Sequence, residues 1–259
     1  MTLRTAISTP EGKRRYVRRL FATIADRYDF ITRFLSYGQD RRWKRRLIGL
    51  AALAPGDRLL DLACGTGDLA FAAAPHVSRA VGLDLTFRMV QLARRRVLET
   101  WSDFSDFDSR KIRPGLPAHA PHFLAGDMLA LPFPDGSFDV VTTGYGLRNV
   151  PDLDAALLEI RRVLAPSGRL LSLDFNRPRN PIVRAAYLAY LTVVGSLLGL
   201  VLHGDPDTYR YIPESIRNYP GAQGVARMME RHGFSPARVL PVLGGLMAIH
   251  VATRDTRPS

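Results

Sequence analysis

Strand-like apolar runs alternate with helical segments from residue 58 onward, and this alternation restricts the fold more than any other feature. The runs RLLDLA, RAVGLD, HFLAG, FDVVTTG and GRLLSLDF are separated by stretches with helical spacing. Helices are indicated by GDLAFAAAPHV, TFRMVQLARRRVLETW and DLDAALLEIRRVLAP, and the last should stop at Pro166 and Gly168. Strands that alternate with helices form a parallel sheet covered on both faces. The sequence therefore predicts an α/β fold.

The C-terminal region predicts a different strand pairing. FSPARVLPVLGGLMAIHVATR contains two strand patterns around Gly244 and Gly245, which indicates an antiparallel hairpin at the edge of the sheet. We therefore expect a doubly wound, Rossmann-like sheet of seven strands, mostly parallel, with helices on both faces.

Several segments lie outside the alternation. Residues 1–50 predict a basic helical segment that belongs to the same domain as residues 51–259. Residues 101–120 are polar and contain Pro and Gly, so we interpret them as a surface insertion. Residues 176–221 follow the fifth strand and begin with a long apolar helix. Because ligands bind at the carboxyl ends of parallel strands, this segment is well placed to form a substrate lid.

Composition and charge bound the function. The chain has 259 residues, of which 46% are hydrophobic, enough for a sizeable core. A single cysteine, Cys64, excludes an intramolecular disulfide and a cysteine-cluster zinc site, and MTLRTAISTPEGKRR lacks the apolar core of a signal peptide, so we expect a cytoplasmic protein. The net charge of +12 is concentrated in residues 13–46, which hold twelve Lys or Arg against three acids. Such a basic face suits nucleic acid, an anionic membrane or plain solvent.

A glycine turn follows the first predicted strand. Residues 65–70, GTGDLA, fit the dinucleotide pattern G-x-G-x-x-G/A, and Asp84 follows at the spacing of a ribose-binding acid. Asp61 ends the strand and Asp68 enters the first turn of the helix, where a pyrophosphate would place negative charge. S-adenosylmethionine has no phosphate and carries a cationic amino group and sulfonium. The turn formed by Gly65, Thr66 and Gly67 therefore suits this cofactor better.

Two further acids follow predicted strands. Asp84 can accept both ribose hydroxyls, and Asp127 can accept a hydrogen bond from the adenine amino group, with Met128 against the ring. Each acid alone is more often a helix cap or a turn residue, but three acids that each follow a parallel strand favour a cofactor site. Cys64 is interpreted as a small packed residue rather than as a reactive thiol.

The motifs resemble one family closely. LDLACGTGDLA, GDMLALPFPDGSFDVVTTGYGLRNV and RRVLAPSGRLLSLDF are similar to motifs of class I S-adenosylmethionine-dependent methyltransferases. YDFITRFLSYGQDRRW and DTYRYIPESIRNYP resemble further signatures of the ubiquinone/menaquinone biosynthesis C-methyltransferase family, so the resemblance covers about residues 20–254. This chain departs from the family pattern at Ile31, Thr32 and Asp40, at residues 165–168 and 174–176, at Cys64, and at Gly144, where the family often offers a serine to the cofactor.

The resemblance implies methyl transfer to a ring carbon of a reduced polyprenyl quinone, which is demethylmenaquinol in the menaquinone branch. An enzyme must align that carbon with the donated methyl group and make it electron-rich by stabilising a neighbouring phenolate. Arg148 and Asn149 are the candidates for this task; Arg148 remains protonated and so serves as an oxyanion partner or orients a water. The alternative is that Arg148 only pairs with an acid on the following helix. The ring pocket should be lined by three tyrosines, Tyr28, Tyr209 and Tyr211, with Asp29 and Arg210 as supporting partners.

Other classes remain open from the sequence. The glycine turn could serve an NAD-dependent oxidoreductase, the arginine clusters could serve an RNA methyltransferase, and the fold could act as a non-catalytic assembly subunit. GYGLRNV stands where RNA base methyltransferases often carry an Asn/Asp-Pro-Pro-aromatic motif, so we expect no specific nucleic-acid partner. The scattered histidines give no metal spacing, so we expect no metal. The sequence does not distinguish a naphthoquinol from a benzoquinol, and it leaves a homodimer open.

Residues 185–202, AAYLAYLTVVGSLLGLVL, are eighteen consecutive residues without a charge. Three interpretations compete for them: a membrane span, a core helix, and a lid helix whose outer face enters the membrane interface. We expect the lid helix, with the arginines of residues 13–46 against anionic headgroups. The protein would then lie peripherally on the inner face of the cell membrane.

Overall fold

Seven strands form a single sheet in the computed structural model, which describes residues 3–101 and 120–256. Their order across the sheet is β3-β2-β1-β4-β5-β7-β6, and only β7 runs antiparallel to its neighbours. The predicted Rossmann-like sheet with a C-terminal antiparallel hairpin is therefore confirmed. The strands are β1 Arg58–Leu62, β2 Arg79–Asp84, β3 His122–Ala125, β4 Phe138–Gly144, β5 Leu164–Phe175, β6 Arg238–Val242 and β7 Met247–Thr253.

Helices cover both faces of the sheet and extend beyond its carboxyl edge. They are α1 Leu3–Ala6, α2 Pro10–Ile24, α3 Tyr28–Leu35, α4 Asp40–Leu50, α5 Asp68–Ala73, α6 Phe87–Trp101, α7 Leu153–Val163, α8 Pro181–His203, α9 Tyr211–Asn218 and α10 Gly221–Arg231. The predicted insertion at residues 101–120 lies almost entirely outside the described residues.

The alternation of side chains along each strand divides the core into two layers. In β1, Leu60 and Leu62 pack with α7 and α10, whereas Leu59 packs on the opposite face with α4 and α5. Because both faces are covered, the strands are apolar throughout, as the sequence indicated.

Local chemistry sets the ends of the helices around the site. Pro10 occupies the first turn of α2, and the Thr9 side chain caps it by accepting from the Gly12 amide. The α8 helix begins in the same way at Asn180 and Pro181 and ends at Gly204, which adopts a left-handed φ of 69°. The α8 helix, Pro181–His203, therefore extends beyond both ends of the uncharged stretch at residues 185–202.

The chain order reverses between β1 and β4. β1 pairs with β2 on one side and with β4 on the other, so the loops after β1 and β4 leave the same edge of the sheet in opposite directions. In open α/β sheets this switch point is where ligands bind. The glycine turn after β1 and the GYGLRNV segment after β4 meet there.

Candidate active site

Asp61 lies at the switch point with one carboxylate oxygen unsatisfied. It is opposite Thr142 in the β1–β4 ladder, and the Thr142 hydroxyl donates to Oδ1 at 3.0 Å. Its other oxygen, Oδ2, is buried and has no hydrogen-bond partner among the described residues. Burial raises the pKa of Asp61 to about 7, against the opposing effects of the Thr142 hydrogen bond and of Lys44. A buried carboxylate oxygen without a partner is suited to accept a hydrogen bond from a cationic ligand group.

The glycine turn requires its glycines. Gly65 and Gly67 adopt left-handed φ angles of 54° and 90°, and a Cβ on Gly67 would lie 2.6 Å from the Phe123 ring. Thr66 is held by Asp29, whose Oδ1 accepts from the Thr66 hydroxyl at 2.8 Å. We expected Asp29 to support the ring pocket, but the structure shows it on the cofactor turn instead.

Asp84 fixes the same turn from the end of β2. Its Oδ2 accepts from the Gly65 amide at 2.9 Å and its Oδ1 accepts from the Thr86 amide at 2.8 Å. Burial raises its pKa, although the two amides oppose this effect. Each oxygen keeps a second lone pair, so the side chain can also accept from a ribose.

Asp127 and Met128 have different surroundings. Met128 lines the small cavity beside the glycine turn, together with Gly65, Asp84 and Gly144. Asp127 does not line this cavity: its Oδ2 pairs with Arg14 of α2 at 2.8 Å and its Oδ1 accepts from the Leu129 amide. The predicted contact of Asp127 with adenine therefore competes with the ion pair to Arg14.

Asp68 does not act as the free acid that we expected on the turn. It forms ion pairs with Lys44 at 2.9 Å and with Arg96 at 2.6 Å. Burial would raise its pKa, but Lys44 and Arg96 outweigh this and hold the pKa at about 2. The charge of Asp68 is therefore compensated within the protein. Asp68 would not repel a pyrophosphate in the way that the sequence suggested.

Arg148 lies buried in the turn after β4. Its Nη1 donates to Asp174 Oδ1 at 2.8 Å and to the Tyr145 carbonyl at 3.0 Å, and its guanidinium lies 4.6 Å from the Phe175 ring centroid. Burial lowers the pKa of the guanidinium, but Asp174 more than offsets this. Pairing with an acid was the alternative to a catalytic role, and the acid is on β5 rather than on the following helix. Arg148 Nε nevertheless has no partner among the described residues. Arg148 also lines an apolar cavity between α3, α8 and α9, which we call the large cavity.

The structure separates Asn149 from Arg148. Asn149 lines the small cavity beside the glycine turn and is absent from the lining of the large one, which is lined by Arg148. Its Nδ2 donates to the Tyr145 carbonyl at 2.8 Å, whereas its Oδ1 is buried without a partner. Asn149 therefore lies on the side of the glycine turn, whereas Arg148 lies on the side of the large cavity.

The three predicted tyrosines all line the large cavity. Tyr211 is fully buried and its hydroxyl has no partner among the described residues. The Tyr209 hydroxyl is 2.9 Å from His203 Nε2, at the end of α8. Arg210 lies on the surface, where it pairs with Asp207, so our expectation that it supports the pocket is wrong.

The large cavity has a volume of about 540 Å³ and lies between α3, α8 and α9. Its lining is apolar and aromatic, apart from Thr32, Ser36 and Arg148. Four of its lining residues, Tyr37, Tyr190, Ile182 and Val183, are exposed and mark the opening. Tyr37 stacks on Tyr190, and their hydroxyls are hydrogen-bonded.

The cavity beside the glycine turn is smaller, at about 70 Å³. Its walls include Arg14, Val17 and Phe21, all on α2. Ligand pockets usually measure several hundred Å³, so this cavity is too small for a cofactor with α2 in its present position. The orphan oxygen of Asp61, the carboxylate of Asp84 and the open left-handed turn nevertheless fit a cofactor with a cationic amino group and a ribose.

Two tyrosines connect the cavities. Tyr28 and Tyr145 line both the large cavity and the small one. Tyr28 was predicted from the sequence, whereas Tyr145 was not, although it lies inside GYGLRNV, three residues before Arg148. Lys13, Asp40 and Lys44 were not predicted either, because nothing in the basic cluster indicated that two of its cations turn inward.

Lys13 of α2 is hydrogen-bonded to the GYGLRNV segment. Its ammonium donates to the carbonyls of Arg148 and Val150 at 3.1 and 2.6 Å. Burial and the nearby Arg148 cation lower its pKa to about 8, with Asp174 opposing. Its charge is therefore used to fix α2 against the site rather than to form a surface patch.

Within the described residues, no group of three or more His, Cys, Asp or Glu side chains could hold a metal ion. One described helix, Pro181–His203, is long and apolar enough to cross a membrane by length and composition, and 22% of its most apolar window is buried.

Comparison with known proteins gives consistent results. Residues 9–254 match the ubiE/COQ5 methyltransferase family. The chain is 41% identical to a demethylmenaquinone methyltransferase of Thermus thermophilus, over 91% of this chain and all of the relative. It is 37% identical to the ubiquinone/menaquinone biosynthesis C-methyltransferase UbiE of Teredinibacter turnerae, over 91% of this chain and 90% of the relative.

Solved structures resemble the fold at lower sequence identity. A SAM-dependent methyltransferase of Thermotoga maritima aligns with a TM-score of 0.60 and 17% identity, covering 92% of this chain and all of that one. Another from Aquifex aeolicus aligns with a TM-score of 0.54 and 17% identity, covering 82% of this chain and 89% of that one. At this identity the similarity concerns the fold alone.

Proposed function

The chain belongs to the ubiE/COQ5 methyltransferase family and is an S-adenosylmethionine-dependent methyltransferase, and from this premise we propose that it methylates a ring carbon of a reduced polyprenyl quinone. The product of demethylmenaquinol would be menaquinol. The observation that carries this proposal is the junction of the two cavities, where Tyr28 and Tyr145 stand between the glycine turn and an apolar chamber that contains Arg148.

The residues around the glycine turn would hold the cofactor. Asp61 Oδ2 would accept from its amino group, Asp84 from its ribose, and Met128 would contact its adenine. Gly65, Thr66, Gly67 and Gly144 would allow close approach, with Asp127 released from Arg14 as α2 shifts. When bound, S-adenosylmethionine supplies an electrophilic methyl group on a sulfonium, so the reaction calls for no metal.

The large cavity would hold the acceptor. Its apolar walls suit a quinol ring and the first part of a prenyl tail, and about 540 Å³ lies within the usual range for a small-molecule pocket. Arg148 would stabilise the phenolate that makes the ring carbon electron-rich. Asp174 fixes the guanidinium in the cavity wall, and Tyr28, Tyr209 and Tyr211 would pack against the ring. Asn149 would act from the cofactor side.

The acceptor ring is proposed to be a naphthoquinol. The Thermus relative, which aligns with this chain over its whole length, is named a demethylmenaquinone methyltransferase. The names of the UbiE relatives keep a benzoquinol as the second candidate. Both substrates carry a prenyl tail, so both require contact with a lipid phase.

We propose that the protein is cytoplasmic and binds peripherally to the inner, anionic face of the cell membrane. The residues around the mouth of the large cavity are exposed and apolar, and the outer face of α8 continues this surface through Val193, Leu197 and Val201. Arginines of α2 and α4 provide positive charge on the same N-terminal segment. A homodimer is not required, because one chain supplies both cavities.

The test is quinone mass spectrometry of a host that lacks the gene, with and without the gene restored. Without the gene, we expect a menaquinone that lacks one methyl group. Restoring the gene for the wild-type protein should restore the fully methylated menaquinone. Accumulation of a benzoquinone intermediate would assign the second candidate, and an unchanged quinone pool together with no methyl transfer to a reduced naphthoquinone in vitro would contradict the proposal.

A further inference from the structure

Tyr145 lies inside the GYGLRNV motif, but the sequence predicted no role for it in the site. It follows β4, adopts a left-handed φ of 62°, and lines both the acceptor cavity and the cofactor cavity. A left-handed conformation is costly for a residue with a ring and persists only when the surrounding structure imposes it. The Tyr145 amide donates to the Leu173 carbonyl at 2.7 Å, and its own carbonyl accepts from Arg148 and Asn149.

The hydroxyl of Tyr145 is directed at a buried carboxylate. It donates to Asp40 Oδ1 at 2.6 Å, and Asp40 is only 6% exposed. The other oxygen of Asp40 pairs with Lys44 Nζ at 2.8 Å. Ser36, which lines the acceptor cavity, accepts from the Asp40 amide and so fixes the start of α4 at the cavity wall.

We propose that Tyr145 and Asp40 form the proton relay that deprotonates the quinol. A substrate hydroxyl donates its proton to the Tyr145 oxygen while the Tyr145 proton passes to Asp40. This inference rests on the proposed function, and it assigns the proton acceptor that Arg148, a permanent cation, cannot provide.

The relay balances the reaction. The quinol O–H bond breaks, its electron pair remains on oxygen, and the proton ends on the Asp40 carboxylate while Tyr145 stays neutral. The ring carbon forms a bond to the donated methyl as the sulfur–methyl bond breaks. Loss of the ring-carbon proton to solvent then restores the aromatic ring, and Asp40 returns its proton through Tyr145 to the substrate oxygen. One proton is released per methyl transferred.

Tyr145 is suited to relay a proton rather than to ionise. Burial and the adjacent Asp40 raise its pKa well above the ordinary value, so it remains a hydroxyl that can accept one hydrogen bond while it donates another. Tyr28, which like Phe21 also lines both cavities, has a pKa raised by burial and stays neutral as well.

Charged groups from several elements surround Asp40, which lines one surface cleft together with Asp29, Arg33, Arg41, Lys44, Arg45, Asp68 and Arg96. Lys44 lies on the same helix, and Tyr145 faces Asp40 from the β4 turn and Tyr28 from α3. Asp68 faces from α5 and shares Lys44. Burial opposes the charge on Lys44, but Asp68 and Asp40 outweigh this and raise its pKa, so Lys44 stays cationic over the working pH range and compensates Asp40 in its ionised form.

The test combines Tyr145→Phe and Asp40→Asn, each of which keeps the size of the side chain. Methyl transfer to a reduced naphthoquinone with a short prenyl chain should fall on the order of 10²-fold or more in either variant. A ring-fluorinated quinol, whose hydroxyl is more acidic, should recover most of the lost rate.

A binding measurement gives a second readout without turnover. Under anaerobic conditions with S-adenosylhomocysteine present, wild-type protein should bind the fluorinated quinol with the absorbance of its anion, and both variants should bind it in the neutral form. Ser172→Ala, which removes a buried hydrogen bond to His250 away from both cavities, is the matched control and should keep the wild-type rate.

The outcomes separate the two proposals. Wild-type protein that methylates no quinol contradicts the proposed function itself. Wild-type activity with full activity in Tyr145→Phe overturns the relay alone. Equal losses with the fluorinated and the unfluorinated quinol also overturn the relay, because they indicate that the Tyr145–Asp40 bond only supports the fold.

Discussion

Asp61 determines how the cofactor site should respond to pH. Its buried Oδ2 has no partner among the described residues, and its pKa is about 7 in the free protein. The folded pKa lies above the ordinary value, so the contribution of this group to stability is largest at low pH and declines as pH rises towards 7. A cationic ligand group would reverse this by favouring the ionised carboxylate.

We therefore expect S-adenosylmethionine affinity to rise on the order of tenfold between pH 5.5 and 7, because below pH 7 binding must expel the Asp61 proton. Isothermal titration at pH 6 in two buffers of different ionisation enthalpy should count close to one proton released. Asp61→Asn should bind more weakly and lose this pH dependence. Binding without proton release at pH 6 would remove Asp61 from the amino-group site.

Arg148 illustrates why the choice of substitution matters. Arg148→Ala would leave the buried Asp174 carboxylate uncompensated, which typically costs about 3–5 kcal/mol of stability. Loss of activity in that variant would not distinguish catalysis from folding.

Arg148→Lys retains a cation for Asp174 but lacks the planar fork and the stacking on Phe175. We expect kcat to fall about 10²-fold, with urea unfolding close to wild type and cofactor affinity unchanged. Arg148→Met combined with Asp174→Asn removes both charges and should be folded but inactive. Wild-type kcat in either variant would exclude Arg148 from phenolate stabilisation.

At the scale of elements, α2 covers the cofactor cavity. Arg14 pairs with Asp127, Val17 and Phe21 line the cavity, and Lys13 donates to two carbonyls of the GYGLRNV segment. Because this cavity measures only about 70 Å³, we expect cofactor exchange to require displacement of this helix.

Lys13→Met should therefore accelerate exchange. It removes both hydrogen bonds to the turn, which are worth roughly 1 kcal/mol each, so we expect cofactor dissociation to speed up several-fold in stopped-flow fluorescence. Arg18→Met, at an exposed position of the same helix, is the control and should leave the rate unchanged. Equal rates in Lys13→Met and wild type would mean that α2 is not held by this residue.

The elements also show what the sequence could predict. The strands and the hairpin were predictable because buried parallel strands are continuous apolar runs and Gly244 and Gly245 mark the turn. The positions of Asp61 and Asp84 followed from the rule that parallel strands end at one edge. The contact of Lys13 with residues 135 and 137 positions away was not predictable, because a long-range hydrogen bond leaves no local pattern.

The same reason explains the errors at the site. Asp68 follows the glycine turn as predicted, but its partners Lys44 and Arg96 come from α4 and α6, and together they cancel its charge. The interpretation of residues 13–46 as one basic face also fails for Lys13 and Lys44, which turn inward. Composition gives the charge of a segment, whereas only the fold gives its direction.

At the scale of the whole molecule, the exposed apolar surface and the entrance of the acceptor cavity coincide. Ile182, Val183, Tyr37 and Tyr190 form the entrance, and Leu197 and Val201 continue the surface along α8. Inner-face residues of α8 pack on α9 and the loop before it, so the helix is held to the domain that contains the glycine turn. This arrangement favours a helix that lies in the membrane interface over a helix that spans the bilayer.

Liposome co-sedimentation tests this orientation. We expect binding to require anionic lipid, because each exposed Lys or Arg near the surface contributes about 1 kcal/mol, and to weaken at high salt because that attraction is screened. Leu197→Glu, at a position 60% exposed on α8, should reduce binding further, whereas Leu158→Glu, at a position 52% exposed on α7, should not. Equal losses in the two variants would indicate a nonspecific effect of added negative charge. Retention that only detergent releases would favour a span, and no binding to any liposome would contradict membrane contact and require a carrier for the prenyl quinol.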